Sequence, residues 1–397
     1  MSATKVYQQV YRLLGAHFDH NVDESTLHRM TLLVIGIIQA KSASPAKIAS
    51  ALHTLGLREA TIESLERQIR RTENDSEVDV ALCFHPFARH RLLLGRTRKL
   101  ILIIDPTTQD DRVVMMSVAV WYRGRALPLA WMIWPANTPL EGLGFWERIA
   151  MLLEQVAGIL PAHTTVTWLA DRAFGTPTFT DMLTERGWHY VVRIQGQTRY
   201  LDRMGVERKV QSLVPTRGKR AKMSGKAFKK SGWREVNLVA YWGNAHKSAL
   251  CLASDLEPEW DLIKLYRRRY PIEATFRDYK SYGWHWEHGQ VTDLQHLERL
   301  LVGMALATWI ALFVGKLVAD EILHKPASGN RRTLPWHGKR SLFTLGLHRL
   351  HEWIAGTCSL NPDWLFTDWD THNWSYQIYA HHSHAFVFAH HALSSDF

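Results

Sequence analysis

The 397-residue sequence contains only three cysteines, Cys83, Cys251 and Cys358, and none of them forms a CxxC pair. This number and spacing exclude a disulfide framework and a thiolate zinc site, and they favour a reducing compartment. The first residues lack the basic and apolar segments of a secretory signal. No motif recurs at the period of ~20–50 residues that is typical of repeat proteins.

Long hydrophobic segments are also scarce. The longest uncharged apolar run, Leu300–Gly315, has 16 residues and lies between Arg299 and Lys316. A helix that spans a bilayer needs about 20 residues, so this run predicts a helix buried in a soluble core. Apolar residues make up 46% of the chain, which excludes a disordered polar chain. We therefore expect a soluble cytoplasmic protein with no membrane partner.

Positive charge is concentrated in one segment. The chain has 48 lysine and arginine residues against 38 acidic residues, which gives a net charge of +10. Residues 191–234 contain 13 basic and two acidic residues, so the rest of the chain is nearly neutral. Such a patch favours a nucleic acid, because each phosphate contact releases condensed counterions. The alternative is a basic loop that only aids solubility.

The pattern of apolar residues predicts helices in the first 95 residues, over 5–18, 24–41, 45–55 and 59–72. The last two helices are joined by three residues, a length that suits a helix-turn-helix. Residues 1–95 are therefore expected to form an N-terminal helical domain that binds DNA. A plain helical bundle is the alternative.

After residue 98 the pattern changes from helical to extended. Strands are predicted over 99–105, 113–122, 126–134, 164–170 and 188–195, and helices over 141–158 and 178–186. The order of three strands, helix, strand, helix and strand predicts an α/β fold. A hairpin meander followed by crossovers gives a mixed sheet with helices on its faces.

The remaining chain divides into three regions. Strands over 236–242 and 248–254, with a loop over 215–232, predict a β-rich insertion at 196–255 that carries the basic patch. Helices follow over 259–282 and then to about residue 319. Residues 321–397 are rich in tryptophan and histidine, match no zinc template and are expected to form a tail or a dimerisation region.

Two aspartates, Asp105 and Asp171, each end an apolar strand. Ligands bind at the carboxyl edge of an open sheet, so neighbouring strands would bring the two carboxylates together. Two adjacent carboxylates repel each other unless a cation neutralises them. Hard oxygen ligands without cysteine or paired histidine favour Mg²⁺ or Mn²⁺.

The helix predicted after the insertion supplies a third carboxylate. Its residues Tyr266, Arg269, Glu273 and Lys280 are separated by three, four and seven positions, which places them on one helix face. Around a metal-bound phosphodiester, Glu273 would reach the metal, while Arg269 and Lys280 would bind phosphates. The alternative is an exposed, salt-bridged helix, which Asp278 fits.

The pattern Tyr-x₂-Arg-x₃-Glu-x₆-Lys resembles the YREK signature of bacterial insertion-sequence transposases, which are DDE enzymes with a ribonuclease-H-like core. Asp105 and Asp171, the latter within LADRAFG, resemble the two aspartates of the DDE triad. The resemblance covers about residues 98–320. It implies a catalytic core made of residues 96–195 and of the helices in 256–320, with the β-rich insertion between them.

The resemblance implies that Asp105, Asp171 and Glu273 hold two Mg²⁺ ions, with Mn²⁺ as a substitute, for in-line attack on a DNA phosphodiester. It implies a cut-and-paste transposase that cleaves transposon ends, forms a hairpin and transfers strands into target DNA. Such an enzyme would act as a homodimer on double-stranded DNA, in the bacterial cytoplasm at the nucleoid. A domesticated endonuclease or recombinase and an inactive DNA-binding relic are the alternatives.

Further residues are expected to contact DNA. The resemblance places Tyr266, Arg269 and Lys280 beside the cut end. Trp233 and Trp242, in or beside the basic insertion, are candidates for stacking on a flipped base, with a core position as the alternative for each. Arg172 would bind a phosphate or pair with a carboxylate. The basic candidates of the insertion are Lys219, Arg220, Lys222, Lys229 and Lys230.

Overall fold

The computed structural model describes residues 2–94, 99–137, 142–289, 291–324 and 340–358. Its described part contains one large β-sheet. The strands are β1 (Lys99–Gln109), β2 (Val113–Tyr122), β3 (Arg125–Pro135), β4 (Thr165–Ala170), β5 (His189–Arg193), β6 (Arg199–Leu201), β7 (Glu207–Lys209), β8 (Arg220–Ala227), β9 (Arg234–Tyr241) and β10 (Leu250–Ser254). They lie in the order β3-β2-β1-β4-β5-β10-β9-β8-β6-β7.

The sheet combines an antiparallel meander with parallel crossovers. β1, β2 and β3 pair in antiparallel fashion, whereas β1 pairs in parallel with β4, and β4 with β5. The helices α6 (Phe145–Ile159) and α7 (Pro177–Glu185) make the two crossovers. The predicted mixed α/β sheet with helices is therefore confirmed. Its three parallel strands place their carboxyl ends at one edge, where the candidate site lies.

The insertion continues the same sheet, because β10 pairs with β5 and β9 pairs with β10. The loop predicted over 215–232 is wrong, since β8 lies within it and pairs with β9 along its whole length. Exposed Arg220, Lys222, Ser224 and Lys226 alternate with more buried residues on β8. This period of two is typical of a strand with one solvated face, even when its buried residues are small.

In the described residues, five α-helices precede the sheet: α1 (Ser2–Gly15), α2 (Glu24–Ala40), α3 (Pro45–Leu55), α4 (Ile62–Asn74) and α5 (His85–Leu94). Asp23 caps α2 and Thr61 caps α4, because the side chain of each accepts a hydrogen bond from a first-turn amide. α3 and α4 pack on α2, and α2 packs on the later helix α10 (Leu294–His324). The N-terminal helices thus share the core of the sheet region.

The apolar run predicted to be a buried helix lies in α10. The segment Leu294–Asp320 is long and apolar enough to cross a membrane, but 89% of its most apolar window is buried inside the molecule. α10 also receives α11 (Leu342–Ala355), where the two backbones meet at Gly315 and Gly346. A Cβ at Gly346 would lie 1.7 Å from the Ala311 carbonyl oxygen, so the close crossing needs glycine. Of the region predicted as a tail or dimerisation region, 321–397, the structure describes the end of α10 and residues 340–358, where α11 packs on α10. Residues 359–397 lie outside the described residues.

Candidate active site

Asp105 and Asp171 lie side by side. The strand predicted to end at Asp105 continues to Gln109, paired with β2, so only Asp171 directly follows the end of its strand. In the register of the parallel strands, Ile104 of β1 pairs with Ala170 of β4. Asp105 and Asp171 are the next residues on the two strands. Neighbouring strands are about 4.8 Å apart, so the structure brings the two carboxylates to one point of the sheet edge.

A tight turn fixes the Asp171 carboxylate. Asp171 caps the short 3₁₀ turn Arg172–Phe174, and its Oδ1 accepts a hydrogen bond of 2.8 Å from the amide of Ala173. The side chain of Phe174 anchors this turn in the core, whereas Arg172 is exposed. The sequence that follows the strand therefore determines the direction of the carboxylate.

Arg269 connects the aspartate region with Glu273. Its Nη1 donates to Asp105 Oδ2 at 2.7 Å, and its Nη2 donates to Glu273 Oε1 at 2.7 Å. The side chains of Arg269 and Asp105 are only 10% and 13% exposed, whereas that of Glu273 is 48% exposed. Arg269 thus offsets negative charge that the sheet edge and the following helix bring together.

Burial raises the pKa of Asp105 to about 7. The Arg269 guanidinium opposes this rise, and the neighbouring carboxylates of Asp171 and Glu273 add to it. Burial alone would lower the pKa of Arg269, but the carboxylate of Asp105 leads the contributions that hold it above its ordinary value. The site therefore contains three interacting carboxylates and one firmly charged guanidinium.

The single helix predicted over 259–282 is wrong in detail. The chain forms α8 (Asp261–Arg267), a three-residue break, α9 (Pro271–Arg277) and then a π-helical turn at Asp278–Tyr282. Pro271 explains the break, because proline lacks an N–H group and its ring clashes with the carbonyl four residues earlier. The four signature residues therefore lie on successive short elements rather than on one helix face.

Because of this break, the signature residues lie in different surroundings. Tyr266 on α8 is 1% exposed, and burial raises the pKa of its hydroxyl above the ordinary range. Lys280 lies in the π-helical turn, where its ammonium is 3.2 Å from Glu287 rather than beside the three carboxylates. The structure thus brings Arg269 and Glu273 to the aspartates and places Lys280 in a separate ion pair.

Two buried contacts hold α9 and its π-helical turn against β3. Arg125 at the start of β3 forms an ion pair with Asp278, and both side chains are nearly buried. Thr275 Oγ1 donates to the Ala126 carbonyl at 2.8 Å. The suggestion that Asp278 belongs to an exposed helix is therefore wrong. No signal in the sequence links Asp278 with a residue 153 positions away.

The donor set suits a hard divalent cation in composition, because it consists of carboxylates whose mutual repulsion a cation would relieve. Among the described residues, however, no group of three His, Cys, Asp or Glu side chains is arranged to hold a metal ion. Instead, the Arg269 guanidinium binds the carboxylates of both Asp105 and Glu273.

The basic candidates of the insertion are all exposed. Lys222 binds both carboxylate oxygens of Glu259 at 2.7 Å, and the Arg220 guanidinium lies 4.6 Å from the centre of the Trp260 ring. Lys229 pairs with Glu207. Lys219 and Lys230 form no ion pair with the described residues. The patch is thus partly neutralised by the protein itself.

The two tryptophan candidates are half-buried. Trp242 packs against the hydrophobic core, and its indole Nε1 donates to the His246 carbonyl at 3.0 Å. Trp233 lies just before β9. Both keep part of a ring surface exposed, and neither contacts the three carboxylates.

The model of the transposase DDE domain family matches residues 148–310, which contain Asp171 and Glu273. This match supports a DDE transposase. No curated protein matches the sequence. Among solved structures, the chain is similar to the piggyBac transposase in a cryo-EM synaptic complex with hairpin DNA, with 11% sequence identity and a TM-score of 0.45. The alignment covers 92% of this chain and 81% of that chain.

Proposed function

We propose that the protein is a DNA transposase that cleaves transposon ends and joins them to target DNA. The observation that carries this proposal is that Arg269 binds both Asp105 and Glu273 while Asp171 lies beside Asp105 in the register of the sheet. The family match over 148–310 supports it independently. We assign the core to the ribonuclease-H-like fold, and the protein to the YREK group of bacterial insertion sequences.

In this proposal the three carboxylates are the ligands of two Mg²⁺ ions, with Mn²⁺ as a substitute. The bound ions would supply Lewis acidity at the attacking and leaving oxygens of an in-line displacement. Asp171 is pre-oriented by its bond to the Ala173 amide. Asp105 is held by the sheet, and Glu273 by the packing of α9 on β3.

Arg269 has a second role in the proposal. A guanidinium has five N–H donors, of which the carboxylates of Asp105 and Glu273 use two. The remaining donors suit the oxygens of a phosphate, which guanidinium binds in a bidentate manner. Arg269 would therefore position the scissile phosphate, with Tyr266 packed behind it and Lys280 on the adjacent backbone.

DNA is the partner that the charge distribution favours. The exposed face of β8 presents Arg220, Lys222 and Lys226 in a row, and Lys219 and Lys230 lie near its ends. Such a row matches a phosphate backbone without reading its sequence. We propose that the insertion binds transposon ends, that Trp233 or Trp242 stacks on a flipped base, and that a homodimer synapses two ends through a hairpin intermediate.

The test is cleavage of a duplex that carries the DNA ends flanking the gene, with Mg²⁺ or Mn²⁺, on a denaturing gel. Wild type should give nicks, hairpins and strand-transfer products, and Glu273→Gln should give none while still binding the duplex. Cuts without hairpins or joined products would support an endonuclease instead. Binding without any cut in either metal would support an inactive DNA-binding protein.

A further inference from the structure

The row formed by Asp105 and Asp171 continues into a third strand. Ala170 of β4 pairs with Val192 of β5, so the next residue after Asp171 in the row is Arg193. Residues aligned across adjacent strands project from the same face of a sheet. Arg193 therefore lies one strand, or about 4.8 Å, beyond Asp171.

The environment of Tyr266 supports this placement. Burial dominates the raised pKa of its hydroxyl, and Arg269, Arg193 and Asp171 all act electrostatically on the same group. Charged side chains from the sheet edge and the α8–α9 break thus lie within electrostatic range of one buried phenol. Arg193 belongs to the same face as the proposed catalytic residues.

Arg193 differs from nearby arginines in its partners. Arg186, Arg199 and Arg234 each form an ion pair with a carboxylate, whereas Arg193 forms no ion pair or side-chain hydrogen bond with the described residues. Its side chain is nevertheless half-buried. A half-buried guanidinium that binds no carboxylate directly keeps its N–H donors available for an anion.

The backbone at this position is fixed. The Arg193 carbonyl packs against Gly175, where a Cβ would lie 2.2 Å from the carbonyl oxygen. The Ile194 amide donates to the Cys251 carbonyl at 2.9 Å. The turn that carries Asp171 and the end of β5 are therefore locked together, so Arg193 keeps a constant position relative to Asp171.

We propose that Arg193 binds a backbone phosphate of the cleaved DNA strand, next to the scissile phosphate. The proposal rests on the proposed function, since it requires the scissile phosphate to lie on the Asp105–Asp171 row. A DNA strand that runs along this row, perpendicular to the β-strands, brings the phosphate next to the scissile one over β5. Guanidinium suits this task because it binds two phosphate oxygens at once.

The experiment compares Arg193→Gln, Arg193→Lys and the matched control Arg186→Gln, which removes an arginine near the opposite end of β5. Binding of the DNA-end duplex is measured by fluorescence anisotropy over a range of salt concentrations. Arg193→Gln should weaken binding about tenfold and lower the salt slope by about one. Arg193→Lys should restore the slope, and Arg186→Gln should match wild type.

A second measurement locates the phosphate. Duplexes with a single neutral methylphosphonate are scanned through the positions around the cut. One position should weaken binding by wild type about tenfold and have no effect on Arg193→Gln, because the two changes remove the same contact. A merely structural role for Arg193 would weaken binding at every position equally and would lower the melting temperature.

The outcomes separate the two proposals. A normal salt slope in Arg193→Gln, with no coupled methylphosphonate position, overturns the Arg193 proposal even when Glu273→Gln abolishes cleavage. Coupled binding without cleavage by wild type overturns the transposase proposal and leaves the phosphate contact in place. Absence of binding by wild type overturns both.

Discussion

Two regions of the sheet concentrate charge, and they hold it in different ways. Where the parallel pairing of β1 with β4 ends, Asp105 binds Arg269 of the α8–α9 break, and these side chains are 13% and 10% exposed. On β8, Lys222 pairs with Glu259, but these side chains are 35% and 63% exposed. The first region fixes charged groups in one geometry, whereas the second presents charge to solvent.

The difference follows from the strands beneath. The parallel strands are covered by helices, so their charged residues lie in a low-dielectric environment where each needs a partner. β8 has one solvated face, where water screens each charge. We infer that the function of the first region depends mostly on the exact positions of its charged groups. DNA binding by the second region depends mostly on how many charges it carries. Four predictions test this contrast.

The largest effect is expected for Asp171→Asn. Asparagine keeps the side-chain oxygen that accepts from the Ala173 amide, but it removes the negative charge that the proposed chemistry needs. Cleavage should fall at least about 10³-fold, because several kcal/mol of transition-state stabilisation are lost. The melting temperature should stay unchanged.

Single-turnover cleavage and thermal melting provide the measurement for Asp171→Asn. The control is Lys222→Gln, which removes one of many exposed charges and should reduce cleavage less than tenfold at low salt. More than a tenth of wild-type cleavage in Asp171→Asn would remove that residue from the proposed chemistry.

The second effect concerns stability. Arg125→Met leaves Asp278 as a buried carboxylate without its partner, which should cost about 3–5 kcal/mol of unfolding free energy. The double variant Arg125→Met/Asp278→Leu should cost much less, because it removes both charges. Urea unfolding measures both values. Equal losses in the single and double variants would show that packing, and not the unpaired charge, sets the cost.

Features that depend on the order of elements along the chain can be predicted from the sequence, whereas contacts between distant strands cannot. The sequence predicts that Asp105 and Asp171 converge only on the condition that their strands are neighbours, and the pairing of β1 with β4 meets that condition although β1 continues past Asp105. The register that aligns Arg193 with them depends on hydrogen bonds between distant strands, and so does the Arg125–Asp278 pair. Neither is encoded in local spacing. These residues therefore emerge only from the structure.

Two errors have local causes. Exposed and less exposed residues alternate along β8, but the alternation is hard to recognise in the sequence because the less exposed positions include the small residues Ala221, Gly225 and Ala227. The spacing from Tyr266 to Lys280 predicts one helix only if Pro271 is left out of account, and Pro271 is the residue at which the second helix begins. Contact between Arg269 and Glu273 survives the break, since these residues remain four positions apart.

The third prediction concerns the pH dependence of stability, which a buried histidine in the N-terminal helices affects more than an exposed one. His17 is 5% exposed, and burial, assisted by Arg91, lowers its pKa to about 4. Its pKa in the folded state is below the ordinary 6.5, so the unfolded chain takes up a proton first. Stability is therefore full above pH 6.5 and is lost as the pH falls toward 4.

The expected loss from His17 is about 2 kcal/mol between pH 7 and pH 5. In His17→Gln this part of the pH dependence should disappear, so the melting temperature should fall less on acidification. The control is His20→Gln, because the His20 side chain is 89% exposed. A pH profile of His17→Gln that parallels wild type would show that other groups govern acid stability.

The smallest effect is expected for Glu259→Gln. The Lys222–Glu259 pair is exposed, and such pairs contribute only about 0.2–1 kcal/mol, so the melting temperature should hardly change. Glutamine also leaves the Lys222 ammonium without its local counter-charge, and this ammonium lies in the row that we propose binds phosphates. DNA affinity should therefore rise about two- to threefold at low salt, and the gain should vanish at high salt because screening removes the difference.

Anisotropy titrations at two salt concentrations measure this change in DNA affinity, and Lys222→Gln/Glu259→Gln is the control that should lose the gain. An unchanged affinity at low salt would place the bound DNA away from this end of β8.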